Sequence, residues 1–272
     1  MTEPRPSTGS PVGDAEVRAL GLALVASLLL WHLPFGGILL YPFKLLATWM
    51  HEISHGVVML ITGAGFDHMD VYRDGSGLAY AQRKVGDIGR ALVAAAGYMG
   101  TPVFGAGFLI FGQTARAARR ALGVIGALLV ATALVAIGGR FGQIAVACTG
   151  AVALVGALAL GDRWVIQVAN FIAAQACVNA VVDIRVLYRP TLVVDGKVMR
   201  SSDAHTMADA TFGTTEPWAI WLWATVWLVW SLVLFSAALI AARKRYPPQP
   251  APAAVEVPAA SPAPTPPTPE RS

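Results

Sequence analysis

The sequence predicts an all-α polytopic membrane protein with six or seven transmembrane helices and one short β-hairpin after the second apolar run. Three observations carry this expectation. The chain of 272 residues is 56% hydrophobic and only 13% charged, whereas a soluble domain carries roughly a quarter charged residues. The apolar residues gather into runs close to the ~20 residues a helix needs to cross a bilayer. The basic residues, which give a formal charge of +4, are expected in short loops between those runs, as at Arg116, Arg119, Arg120 and Arg243-Lys244-Arg245. That is where topology-setting charge is found, and it argues against a nucleic-acid partner.

Residues 1–18 are polar, Pro-containing and of mixed charge. They lack the order of a cleaved leader, so the first apolar run, Leu20 to Leu33, is expected to stay as a helix. It opens a membrane domain set at 19–242. A second run, Gly36 to Thr62, is interrupted by His51-Glu52-Ile53-Ser54-His55. Hydropathy then drops between Gly63 and Gly89, where Asp74-Gly75 supplies turn chemistry, and a short β-hairpin over about 64–84 is predicted at the membrane surface. Further runs cover Arg90–Phe111, Ala121–Ile137, Phe141–Leu160 and Trp164–Leu187. The first of these is rich in Gly and Ala, which let helix backbones approach closely in lipid. A polar loop is expected over about 189–217. The last run, Trp218–Ala242, places Trp where a headgroup level would be. The Pro, Ala, Thr and Ser tail, 246–272, cannot bury a core and is predicted to be disordered. Cys148 and Cys177 lie inside apolar runs and read as packing residues.

His51-Glu52-Ile53-Ser54-His55 matches the pattern H-E-x-x-H. Residues four apart on a helix point nearly the same way, so both imidazoles can bind one Zn²⁺. Glu52 can then reach a water as general base. The metal lowers the pKa of that water, and the same carboxylate can pass the proton to a leaving amine. Each ionisable group within an apolar span costs about 2.5–3.5 kcal/mol. A bound cation compensates three such groups; the blander reading is a polar patch at the membrane surface, satisfied by water. A catalytic zinc also requires a third protein ligand. Asp183 leads, because it lies late in an apolar run and span parity puts it on the side of His55. An ion pair with Arg185 or Arg189 is its alternative role. Asn179, one turn earlier, is placed to hydrogen-bond a ligand or a substrate backbone. His205, His68, Asp70, Asp74 and His32 are rivals as ligands, and Cys177 faces elsewhere.

The segments TWMHEISHGVVMLITGAGF, AAGYMGTPVFG and NAVVDIRVL resemble the site-2 protease family of intramembrane zinc metallopeptidases. The likeness is to the compact bacterial branch without accessory domains and covers roughly residues 45–190. It implies that His51, His55 and Asp183 hold Zn²⁺ and that Glu52 activates water. It implies hydrolysis of a peptide bond in or near a membrane segment of a protein substrate, in a multi-pass protein of the bacterial plasma membrane. The better-known members carry Asn-x-x-Pro and Leu-Asp-Gly around their aspartate. Here Val182-Asp183-Ile184 stands instead, with no proline before it in that run, so the substrate-clamping part of the site is expected to differ.

A zinc-binding scaffold or pseudoprotease, and less readily a transporter, would also use these segments. Glu52 favours the peptidase, because metal binding alone needs no base. Transporters tend to show repeated halves with broken helices, and no such repeat is visible. The hairpin has an expected task as well. Its edge can pair with an extended substrate, offsetting backbone hydrogen bonds lost when a membrane helix unwinds.

Overall fold

The computed structural model describes residues 35–189, 192–199 and 201–245, with isolated positions between 21 and 33. The run from Leu20 to Leu33 lies mostly outside the described residues, as do the segments 1–18 and 246–272. Among the described residues the helices are α1 (Gly36–Ile61), α2 (Asp87–Phe111), α3 (Ala115–Val135), α4 (Arg140–Ala159), α5 (Asp162–Val186), α6 (Asp203–Phe212) and α7 (Pro217–Arg245). Two antiparallel hairpins join them, β1 (Phe66–Val71) with β2 (Gly77–Ala81), and β3 (Leu192–Val194) with β4 (Lys197–Met199).

Five helices, α2, α3, α4, α5 and α7, are long and apolar enough to cross a membrane. Their outward apolar side chains are bare; Val135 and Leu158 are each 84% exposed. A soluble surface rarely carries so much contiguous apolar area, and the chain is an integral membrane protein. The α1 helix is also long, at 26 residues, which is about 39 Å at 1.5 Å per residue. Its polar motif keeps it out of the apolar class. Small residues set the packing. A Cβ on Gly126 would stand 2.8 Å from the Gly150 carbonyl oxygen, and one on Gly150 would stand as close to that of Gly126. The α3 and α4 backbones therefore touch, as small-residue interfaces in lipid allow.

Two expectations need correcting. Arg116, Arg119 and Arg120 are not loop residues; they lie in the first turns of α3. Arg119 donates to the carbonyls of Ala157 (2.9 Å) and Leu160 (2.6 Å), and pairs with Asp162 at 2.9 Å. It thus serves the orphan carbonyls that end α4. The stretch 189–217 is not a plain loop either. Asp195 and Gly196 both have positive φ, 51° and 71°, as a two-residue hairpin turn requires. Ser202 then starts α6 by accepting from the His205 N–H. Gly213, at φ 66°, ends it with its N–H on the Asp209 carbonyl.

The first hairpin is pinned along one face of α1. Tyr41, Lys44 and Thr48 follow helical spacing, and their side chains donate to the carbonyls of Arg73, Asp74 and Gly75 at 2.6, 2.5 and 2.7 Å. Further along that face come Glu52 and His55. The outer edge of β1 is taken at Met69, whose N–H donates to Ala136 O (2.8 Å) and whose carbonyl accepts from Gly138 N (3.0 Å). Met69 faces Ala79 across the ladder. With the Met69 groups turned outward, this is a non-hydrogen-bonded pair, and the Ala79 N–H and C=O also turn outward, on the opposite side. That side opens into a cavity of about 1120 Å³.

Candidate metal centre

The cavity is walled by α1, β2, α2, α5 and the start of α6, and it contains His51, Glu52, His55, Tyr98, Asp183 and Asp203. His51 and His55, one turn apart on α1, present their rings edge to face with centroids 4.7 Å apart. His55 Nδ1 lies 2.6 Å from the Val93 carbonyl. That contact places a hydrogen on Nδ1 and turns Nε2 into the cavity, the arrangement a metal-ligating histidine uses once Nε2 gives up its proton. His51 stands edge-on to Tyr98 at 4.7 Å and 89°.

Both Nε2 atoms meet one carboxylate oxygen. Asp203 Oδ2 is 3.1 Å from His51 Nε2 and 3.3 Å from His55 Nε2. Ligand atoms around a tetrahedral zinc with bonds near 2.0–2.1 Å stand about 3.3 Å apart, so this spacing suits the ion. Among the described residues, these three side chains form the group whose ligand atoms lie within 4.8 Å of one another. Burial pushes the Asp203 carboxyl up, yet the facing His55 and His51 imidazoles hold it below the ordinary carboxylate range. Asp203 therefore stays an anion, and an ionised carboxylate is the form that binds metal.

Gly97 supplies the room. A Cβ there would come within 2.5 Å of His55 Nε2 and closer still to His51 Nε2, so the missing side chain leaves open the space beside both nitrogens. Gly97→Ala is expected to weaken zinc binding on the order of 10–100-fold with the fold retained, as read by zinc titration and helical circular dichroism. Wild-type zinc affinity in that variant would mean that the cation lies elsewhere.

Glu52 is buried beside the histidines, at 6% exposure. The Ala79 amide bears on its carboxylate. A Cβ on Gly77 would stand 2.8 Å from Glu52 Oε1, so β2 crosses directly over this group. Asp203 owes its place to α6, where it occupies the first turn behind the Ser202 cap. Ala204 and Ala208 of α6 are fully buried against a cluster that includes Ala94 and Trp227. The Arg90 guanidinium holds α6 from the other side, 2.6 Å from Asp209 and 3.0 Å from Asp87.

The structure brings His51, Glu52 and His55 together. Asp183 lines the same cavity, but among the described residues no ion pair within 4 Å joins it to either imidazole; Asp203 stands there. Asn179 lies one turn below Asp183, 1% exposed and off the cavity wall, with Nδ2 donating to the Gln175 carbonyl at 2.9 Å. His205 is occupied in the cap of α6, its Nδ1 being 2.8 Å from Ser202 Oγ. His68 stacks on Tyr80 outside the cavity and pairs with Asp67 at 2.7 Å. Sequence reasoning missed Asp203. Its signal was a Ser-Asp pair opening a short segment with helical spacing of Ala204, Met207 and Ala208.

Membrane-spanning helices gathered around an H-E-x-x-H helix make a membrane metallopeptidase the class to which fold and site point. The Peptidase M50B-like family model matches residues 20–238. The chain belongs to that family, a branch of the site-2 protease zinc metallopeptidases. Comparison with curated proteins found no match, and comparison with solved structures found none.

Proposed function

We propose that the protein is an intramembrane zinc metallopeptidase that hydrolyses a peptide bond in or near a membrane segment of a protein substrate. The observation that carries this reading is one carboxylate oxygen 3.1 and 3.3 Å from two imidazole nitrogens, with Glu52 buried alongside. His51, His55 and Asp203 would hold zinc. Bound there, zinc would supply Lewis acidity and a water of lowered pKa. Glu52 takes the proton of the attacking water and returns it to the leaving amine. Asp183 and Lys44 line the same cavity; Asp183 sets the charge balance around the ligands, and Lys44 opposes it.

The outward N–H and C=O groups of β2 face this cavity, with Gly77, Ala79 and Ala81 on its wall. An extended substrate segment adds there as a third strand, its peptide bonds carried past Glu52. This wall and the presence of a base favour the peptidase over a zinc-binding scaffold.

The test is metal dependence. Purified protein should contain one zinc and cleave an unfolded polypeptide such as labelled casein. Treatment with 1,10-phenanthroline should abolish the cleavage, and added zinc should restore it. Cleavage that persists in the zinc-free protein would end the proposal.

A further inference from the structure

Tyr98 is the cavity residue that the scheme above leaves without a task. Its ring is clamped. It stacks on Trp227 with centroids 4.8 Å apart and an interplanar angle of 6°, and it stands edge-on to His51 at 4.7 Å. Trp227 is itself 1% exposed, so the phenol is held by a rigid wall. Its side chain lines the cavity that Glu52, Asp183 and Asp203 also line. Among the described residues no hydrogen bond to this hydroxyl is formed. The Tyr98 side chain is half-buried, so its donor stays open to a group that enters the cavity. Tyr98 thus brings an unused donor to the cavity that His51, His55 and Glu52 line.

Resting on the metallopeptidase reading, we propose that Tyr98 is a catalytic residue. Its O–H donates a hydrogen bond to the oxygen of the scissile carbonyl as that oxygen becomes negative. Water adds its oxygen to the carbonyl carbon, its proton passes to Glu52, and the carbonyl π pair moves onto oxygen. The Tyr98 O–H meets that charge. The electron pair then re-forms the carbonyl, the C–N bond breaks, and Glu52 delivers its proton to the amine. Tyr98 stays protonated throughout. A preformed donor aimed at developing charge in a dry site is the arrangement that stabilises such an oxyanion. The ring contacts with His51 and Trp227 fix its direction, so no side-chain reorganisation accompanies the reaction.

The test compares wild type, Tyr98→Phe and Glu52→Gln as full-length protein. Tyr98→Phe keeps the ring against His51 and Trp227 and removes one oxygen. Zinc and cobalt affinities of Tyr98→Phe should equal those of wild type. Its kcat on casein should fall about 100-fold, with KM little changed. A second readout needs no turnover. Acetohydroxamate, a small metal-seeking anion, is titrated into the cobalt-loaded protein and followed by visible absorption. Tyr98→Phe should bind it on the order of tenfold more weakly, from the loss of one hydrogen bond to a charged oxygen. Wild-type kcat and acetohydroxamate affinity in Tyr98→Phe would overturn the proposal and leave the ring as packing. If instead wild type binds no cobalt, or Glu52→Gln cleaves as wild type does, the underlying metallopeptidase reading fails and the role of Tyr98 falls with it.

Discussion

Glu52→Gln is expected to keep its zinc and to cleave casein about three orders of magnitude more slowly than wild type. The substitution is nearly isosteric, so the wall that β2 makes over this position is undisturbed. That wall is tight, because a Cβ on Gly77 would already press on the Glu52 side chain. The amide cannot accept the proton of the attacking water, which is the step the carboxylate serves. It also makes no demand on His51, His55 and Asp203, whose ligand atoms face one another without it. Retained zinc with lost cleavage separates a peptidase from a scaffold, since a scaffold has no step for Glu52 to perform. Equal cleavage by Glu52→Gln and wild type would remove the general base from the scheme.

The spans were legible because membrane helices declare themselves by length and apolarity alone. The segments from Arg90, Phe141 and Trp164 begin within three residues of α2, α4 and α5. The error at α3 has a local cause. Three arginines lower the hydropathy of its first turns, while Arg119 reaches back to the last carbonyls of α4. Capping of that kind is a contact between elements and leaves no trace in a one-dimensional profile. The first hairpin was legible from Asp74-Gly75. The second carried the same dipeptide, Asp195-Gly196, but its strands are only three residues each, too short for alternation to register.

The candidate metal centre was legible where its parts are close in sequence. His51, Glu52 and His55 need only a helix to come together. Gly97 gave no hint of its closeness to both histidines, because the space between two packed helices is not periodic in the sequence. The carboxylate was the hardest part. Asp183 stood out because a charge in an apolar run is costly. Asp203 sits in a polar stretch, where a carboxylate calls for no explanation. Its approach to the imidazoles depends on how α6 docks, through the buried Ala204 and Ala208 and the Arg90–Asp209 pair. None of that is periodic in the sequence.

Asp203→Ala is expected to lower zinc affinity by at least about 100-fold, beyond what loss of an outer-shell partner brings, whereas Asp183→Ala should change it by less than about tenfold. The geometry argues the difference. Asp203 places one oxygen between both Nε2 atoms, at 3.1 and 3.3 Å, and Asp183 forms no such contact among the described residues. Charge argues it as well. A divalent cation offsets Asp203 and Glu52, and the Asp183 carboxylate shares the cavity with the Lys44 cation. Removing Asp183 then alters the field at the ligands and leaves the coordination intact. Removing Asp203 leaves two imidazoles, too few protein ligands for a catalytic zinc site. The measurement is competition for zinc against a chromophoric chelator, with helical circular dichroism to show that α6 and the bundle remain folded. Asp203→Asn adds a control, since it preserves the Ser202 cap and the start of α6 while removing the anionic ligand. Should Asp183→Ala lose zinc while Asp203→Ala holds it, the third ligand would pass to the carboxylate of α5. The contact between Asp203 and the histidines would then belong to the metal-free protein.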